Sequence, residues 1–253
     1  MIAGSYAQAP LVTTRDPGYV LELAPERVDA HRFEMLVQGA RADLARGDTQ
    51  GAVETLRALW RGEAVTLDSG STLRTYPAPV QRELPLWLTA SSGRATFEEA
   101  GRRGCSVLTG YLGLDRAALA EGIALYRKAF TASETERTPH VTLMVHACVA
   151  ETVAAALAAA EQPLISYQEQ FLDLSDRAGY PYGDITDEEK HDLARYAAHK
   201  YATERGLIGD AATAGDRLRD LAAIGVDEVA CLVDFGLSRT QVSETLTRLA
   251  GVA

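Results

Sequence analysis

Apolar and polar positions along the chain fall into alternating blocks of two periods. Short apolar runs of strand type occupy Pro85–Ala90, Cys105–Leu112, His140–Val149 and Glu228–Phe235, with a weaker one at Ile2–Tyr6. Between them, apolar stripes at helical spacing predict amphipathic helices over Pro25–Leu44, Gln50–Arg61, Thr96–Arg103, Arg116–Phe130, Val153–Leu174, Asp187–Glu204, Ala211–Ala223 and Arg239–Ala250. Thr186 followed by Glu189 is a capping-box pattern that fixes the start of one of these helices. Gly225 stands just past Ala223, where a helix C-cap favours glycine, and leads into the last strand. Strands separated by helices imply right-handed crossovers and a parallel sheet. No low-complexity segment divides the chain, so the expectation is a single α/β domain over residues 1–253.

Two parallel architectures compete for such a pattern. An open doubly wound sheet keeps its chemistry near a G-x-G-x-x-G turn, and the sequence has none. Within His140–Val149 one face reads Val141, Leu143, Val145, Ala147 and Val149, aliphatic throughout and suited to packing under helices. The other reads Thr142, Met144, His146 and Cys148. A second face that is neither solvent-like nor aliphatic suits the inside of a (β/α) barrel, with Met144 and Cys148 as filling. Asp234, at the C-terminal end of an otherwise apolar strand, lies where such barrels carry their chemistry.

Composition narrows the classes of partner. A net charge of -10, with no basic stretch interleaved with aromatics, argues against nucleic acid and against an anionic membrane. No apolar run approaches the roughly 20 residues of a membrane span, and the first residues lack a signal-peptide pattern. A cytoplasmic location is therefore expected. Cys105, Cys148 and Cys231 lie far apart in apolar stretches and read as buried thiols. His191 and His199 are eight residues apart, without metal-ligand spacing, and read as surface residues; no metal is expected.

The richest local chemistry lies between Leu84 and Gly101. There an apolar run ends in the small, hydroxyl-bearing turn Ser91-Ser92-Gly93 and a helical pattern follows at once. A strand, a tight turn and a helix amino end together point backbone N–H groups at an anion, and the helix dipole adds to the attraction. The same string also serves as a plain βα connection. His146 could hydrogen-bond a ligand or exchange a proton near neutral pH, or be a satisfied core histidine. Asp234 could meet a substrate, or cap the helix that starts near Ser238. Ser91 and Ser92 are not in a G-x-S-x-G elbow, and Asp234-Phe-Gly236 has no accompanying kinase motif.

Several strings recur in one order. They are Leu56-Arg-Ala-Leu-Trp-Arg-Gly-Glu63, Arg74-Thr-Tyr-Pro-Ala-Pro-Val-Gln81, Leu84-Pro-Leu-Trp-Leu-Thr-Ala90, Thr96-Phe97 with Ala100-Gly101, Val107-Leu-Thr109 before Leu112-Gly113, Val141-Thr-Leu-Met-Val-His146, Gly206-Leu-Ile-Gly209 and Gly225-Val-Asp-Glu-Val-Ala-Cys-Leu-Val-Asp-Phe-Gly236. In that order the sequence resembles the luciferase-like flavin monooxygenase superfamily. It is most similar to the FMN-dependent branch found beside peptide and polyketide synthetases in natural-product pathways. The resemblance implies a TIM-like (β/α) barrel that binds reduced FMN, supplied by a flavin reductase, and uses dioxygen to oxygenate a small-molecule or carrier-protein-bound substrate. It places the flavin phosphate on the turn after the fifth barrel strand. The implied cofactor residues are Thr89, Ser91, Ser92, Gly93, Arg94 and Thr96, with Arg94 neutralising charge. His146 and Asp234 are the candidate catalytic residues. A homodimer, or a heterodimer with another luciferase-like chain, is the expected assembly.

The departures from the family matter equally. The chain aligns from the fourth barrel strand onward, taking Ile2–Tyr6 as that strand, so about five of the eight strands are expected, with extra helices. A start recorded too far downstream, a partner chain and a degenerate paralogue each account for this. The last would make the protein a shortened, non-catalytic flavin-binding subunit. The region from Arg27 to Glu63 is longer than the family's, with a polar break at Arg46-Gly-Asp-Thr49. Gly110 stands where relatives carry a histidine. The resemblance implies that residues 165–205 are a helical insertion that helps form a lid, with Tyr180-Pro-Tyr182-Gly183 as a turn within it; a surface helical hairpin is the alternative reading.

Overall fold

The computed structural model describes residues 12–15, 18–21, 49–66, 70, 72–77, 79–91, 93–111, 114–133, 135–177 and 186–252. The expected strand Ile2–Tyr6, the helix Pro25–Leu44 and the turn at Tyr180–Gly183 lie outside them. The chain divides into two compact units, Met1–Leu84 and Pro85–Ala253.

The first unit holds an antiparallel hairpin, β1 (Val12–Arg15) with β2 (Gly18–Leu21), which the periodicity did not single out. Helix α1 (Thr49–Trp60) begins at the polar break and buries Ala52, Val53 and Leu59. A two-residue ribbon follows, β3 (Val65–Thr66) with β4 (Thr72–Leu73). Its return is tied to the end of α1 by Arg74 donating to the Gly62 carbonyl and Thr75 to that of Leu59. The Trp60 indole donates to Gln81 O at 2.9 Å.

The second unit is built on a five-stranded parallel sheet. Its strands are β5 (Trp87–Ala90), β6 (Ser106–Gly110), β7 (Val141–Val149), β8 (Leu207–Gly209) and β9 (Glu228–Leu232). Strands β5, β6 and β7 pair in that order, and β7 also pairs with β9 along Thr142–His146 and with β8 along Ala147–Val149. Four of the strands match the apolar runs, each trimmed at its ends. The fifth differs from expectation, because β8 had been read only as part of a family string. Three residues carry too little alternation to register as a strand. Among the described residues the sheet does not close, in keeping with a partial (β/α) barrel.

The helices are α2 (Arg94–Arg102), α3 (Arg116–Thr131), α4 (Val153–Arg177), α5 (Asp187–Glu204), α6 (Ala211–Ala223) and α7 (Arg239–Leu249). The capping box of Thr186 and Glu189 forms as the sequence implied, and Gly225 takes φ +97° just past the end of α6. Asp115 and Asp210 cap α3 and α6. Helices α2 and α3 lie close together because two glycines allow it. A Cβ on Gly101 would stand 2.7 Å from Ala129 Cβ, and one on Gly122 would stand 2.9 Å from the fully buried ring of Phe97.

The two faces of β7 sort largely as its alternation implied. Val141, Leu143, Val145, Ala147 and Val149 are buried in the helix-covered core. On the other face Thr142, His146 and Cys148 are buried, but Met144 is 36% exposed, so it does not fill a closed interior. The Trp87 indole on β5 reaches over β6 and donates to Thr142 Oγ1 at 3.0 Å. Two inter-strand spacings, about 9.5 Å, are bridged by that contact, which favours a sheet curled toward this face. Thr142 in turn donates to Glu228 Oε2 on β9 at 2.8 Å, where His140 Nε2 also lies at 3.0 Å. Cys105, Cys148 and Cys231 are free thiols; the first two are buried and the third partly so.

Candidate functional site

The C-terminal ends of β7 and β9 form the best-developed cleft in the described residues. Strand β9 ends at Leu232, opposite His146 on β7. Beyond it the chain turns away through Asp234, Phe235 and Gly236, the last with φ +115°, a left-handed conformation suited to glycine. A Cβ at Gly236 would lie 3.2 Å from Pro163 Cβ, so this turn presses against the middle of α4. Between turn and helix is a cleft of about 730 Å³ lined by His146, Asp234 and Phe235 and by Gln162, Ser166 and Gln170 of α4.

His146 is only 2% exposed. Its backbone N–H donates to Tyr201 Oη of α5 at 3.0 Å, and the same hydroxyl lies 3.1 Å from its Nδ1. The rings of Tyr167, Tyr201 and Phe235 meet the imidazole edge-on, with centroids 4.4, 5.2 and 5.0 Å away. Burial holds the imidazole pKa down to about 4, against the upward pull of the Asp234 carboxylate. The ring is therefore neutral at neutral pH. Burial pushes Tyr201 up to about 12, so its hydroxyl keeps its proton. His146 Nε2 is buried and has no partner among the described residues.

The turn after β5 is differently made. Ala90 is buried and its carbonyl accepts from Thr109 Oγ1 at 2.6 Å, which pins the strand end. Thr89, Ser91, Gly93 and Arg94 are exposed, and Thr96 is partly buried. Gly93 is the N-cap of α2, and no side chain caps that helix. An uncapped amino end leaves N–H groups available to an oxyanion. Ser92 lies outside the described residues. Arg94 is paired with Glu121 of α3, its side chain 71% exposed, so its charge is engaged away from the turn.

His146 and Asp234, each a catalytic candidate from the sequence, line one cleft. Asp234 does not cap α7; Ser238 does so, in a capping box with Gln241. The residues expected to hold a cofactor lie at the same end of the parallel sheet, Thr89 on β5 and Ser91, Gly93, Arg94 and Thr96 in the turn and helix after it, with β6 between β5 and β7. His199 is exposed as read, whereas His191 joins Glu169 at 2.7 Å and ties α5 to α4, beside the ion pair of Lys190 with Asp173. Helices α4 and α5 thus pack together, and Tyr167 of one and Tyr201 of the other meet His146. Sequence reasoning missed Tyr201 and Tyr167. A signal existed for Tyr201, because Ala194, Ala198, Tyr201 and Ala202 are a helical stripe and all four are buried. Gly110 packs beside Met144, with space for a Cβ at 3.4 Å from its carbonyl oxygen. Among the described residues no group of histidine, cysteine and carboxylate side chains could hold a metal, and no helix is long and apolar enough to cross a membrane.

Solved structures with this fold include several oxidoreductases. Monooxygenase RslO1 from Streptomyces bottropensis is 19% identical over 83% of this chain and 60% of its own, with a TM-score of 0.53. The oxygenating constituent of 3,6-diketocamphane monooxygenase from Pseudomonas putida, solved with FMN, is 16% identical over 81% of this chain and 61% of its own, with a TM-score of 0.53. An F420-dependent secondary alcohol dehydrogenase, solved with an F420–acetone adduct, is 14% identical over 80% and 60%, with a TM-score of 0.55. The chain spans about 60% of the length of each. No curated protein matches the sequence. The family model for luciferase-like monooxygenases matches residues 28–228, most of the chain. By that match, and with a parallel sheet carrying its cleft at the strand C-termini, the chain belongs to the luciferase-like monooxygenase family.

Proposed function

We propose that this chain is a flavin-dependent monooxygenase that uses reduced FMN and dioxygen on a small or carrier-bound natural-product intermediate. One observation carries the reading: a buried neutral histidine and a carboxylate meet in a 730 Å³ cleft at the C-terminal ends of parallel strands, in a luciferase-like chain. The residues fit an FMN phosphate at the β5–α2 turn, where the uncapped helix end and the Ser91 and Thr96 hydroxyls offer donors. Arg94 would add charge on leaving Glu121. Bound reduced flavin would supply the electrons that activate dioxygen. Toward it, the protein contributes position and dryness: Tyr167, Tyr201 and Phe235 keep water from His146, while Asp234 stays at the open side of the cleft. His146 holds a hydrogen-bonding nitrogen there without carrying charge.

Purified protein mixed with FMN tests the first step. Quenching of flavin fluorescence should report binding, weakened by about 2–4 kcal/mol in the Ser91→Ala, Arg94→Ala double variant. Oxygenation is then followed by incorporation of labelled dioxygen into a candidate substrate, with a reductase supplying reduced FMN. Absence of flavin binding would sink the reading. A second function, a flavin-binding subunit that pairs with another luciferase-like chain, is favoured by the open sheet, whose concave face leaves Trp87 41% and Met144 36% exposed. Flavin binding without oxygenation until a second chain is added would select it.

A further inference from the structure

The proton on His146 can be located from its neighbour. Tyr201 Oη accepts from the His146 backbone N–H, so that contact cannot take the tyrosine's own proton. The other partner of this buried hydroxyl among the described residues is His146 Nδ1, at 3.1 Å. With the phenol protonated, the O–H therefore donates to Nδ1. A neutral imidazole that accepts at Nδ1 carries its hydrogen at Nε2. That N–H is a buried donor with no partner among the described residues, on a residue that lines the cleft. A donor left in this state is costly, and a site that keeps one is built for an acceptor.

We propose that His146 Nε2–H anchors an uncharged carbonyl oxygen at the floor of the cleft, and that the cleft rejects carboxylates. The lining favours this acceptor over an anion. Asp234 is the one ionised side chain among the described lining residues, and Gln162, Ser166, Tyr167 and Gln170 are polar without charge. A carboxylate would face Asp234 with no cation to offset it, whereas a ketone, aldehyde or amide oxygen meets a neutral donor. Tyr167 and Phe235 screen the N–H from bulk water, so a ligand reaches it by displacing a ring edge rather than an ordered charge. The carbonyl belongs to the compound being oxygenated or to the flavin ring. That choice rests on the proposed flavin-dependent reading; the tautomer does not.

Long-range ¹H–¹⁵N spectra of the full chain, labelled at histidine, test it at pH 7. Without ligand, His146 is expected to show a protonated Nε2 and an unprotonated Nδ1. Cyclohexanone, FMN and cyclohexanecarboxylate are then titrated separately. A shift of the Nε2–H signal with cyclohexanone assigns the acceptor to the substrate, and a shift with FMN alone assigns it to the flavin ring. Cyclohexanecarboxylate should bind at least tenfold more weakly than the ketone, and Asp234→Asn should narrow that gap. An Nδ1-protonated ring, a signal unmoved by both carbonyl compounds, or a carboxylate bound as well as the ketone would overturn the proposal. If FMN fails to bind while cyclohexanone shifts His146, the flavin reading falls and the carbonyl anchor stands. In His146→Phe, followed by calorimetric titration, retention of FMN binding with cyclohexanone bound at least tenfold more weakly separates the anchor from the phosphate seat.

Discussion

Acidification should expose the energetic cost of burying His146. In the unfolded chain an imidazole titrates near 6.5, whereas here burial holds it at about 4. The groups facing it are Asp234 beyond β9, Tyr167 on α4 and Tyr201 on α5, and Asp234 is the one carboxylate among them. Because the folded pKa is depressed, the unfolded state binds the proton first. The contribution is fully present above pH 6.5 and is lost progressively as pH falls toward 4. At pH 5, proton linkage between those two values gives a loss of about 2 kcal/mol relative to pH 7.5. Other groups of the chain also respond over this range, so the informative quantity is a difference. Urea unfolding of wild type and of His146→Gln, each at pH 7.5 and 5, should show a pH-dependent loss smaller by about 2 kcal/mol in the variant. Equal losses in both proteins would refute a buried neutral histidine. A wild type more stable at pH 5 would reverse the sign and place a charged imidazole in the fold.

Three further substitutions probe the supports of the cleft and sheet. Tyr201→Phe leaves the buried His146 backbone N–H and Nδ1 without their shared partner. It should cost about 1–3 kcal/mol in urea unfolding and allow the imidazole proton to move to Nδ1, which the histidine ¹⁵N spectrum reads. Gly101→Ala places a Cβ 2.7 Å from Ala129 Cβ and 2.8 Å from the Phe130 nitrogen. Despite alanine's better helix propensity it should destabilise by about 1–3 kcal/mol, and unchanged stability would show that α2 and α3 are free to move apart. Glu121→Gln removes the partner of Arg94 in an exposed pair worth about 1 kcal/mol or less. Stability should hardly change, while FMN affinity rises up to about fivefold if Arg94 then turns to the phosphate.

Legibility in the sequence followed the strength of each local signal. Strand β7 was read almost to the residue because nine consecutive positions alternate between aliphatic and mixed side chains. The capping box at Thr186 and the glycine after α6 were equally clear, because each rule depends on residues a few positions apart. By contrast, β8 has three residues and exists because β7 outruns β9, leaving Ala147–Val149 unpaired unless another segment fills in. Pairing demand of that kind is tertiary, and no window along the chain contains it.

The same division explains the site. His146 and Asp234 stood out because a polar residue at the end of an apolar strand is anomalous in its own neighbourhood. Their setting did not, since Tyr167 and Tyr201 are ordinary positions on amphipathic helices until those helices fold back over β7. The turn after β5 shows the converse: its strand–turn–helix grammar is fully local, yet Arg94 is drawn to Glu121, 27 positions away, by an ion pair that the local pattern does not contain. An electrostatic role read from sequence thus competes with every opposite charge the fold brings near. A hydrogen-bonding role set by burial has fewer competitors. Around the buried His146 ring each proton has few acceptors, so the backbone N–H and the phenol of Tyr201 together determine the tautomer. Restricted choice is what turns a histidine of two possible roles into a donor with one.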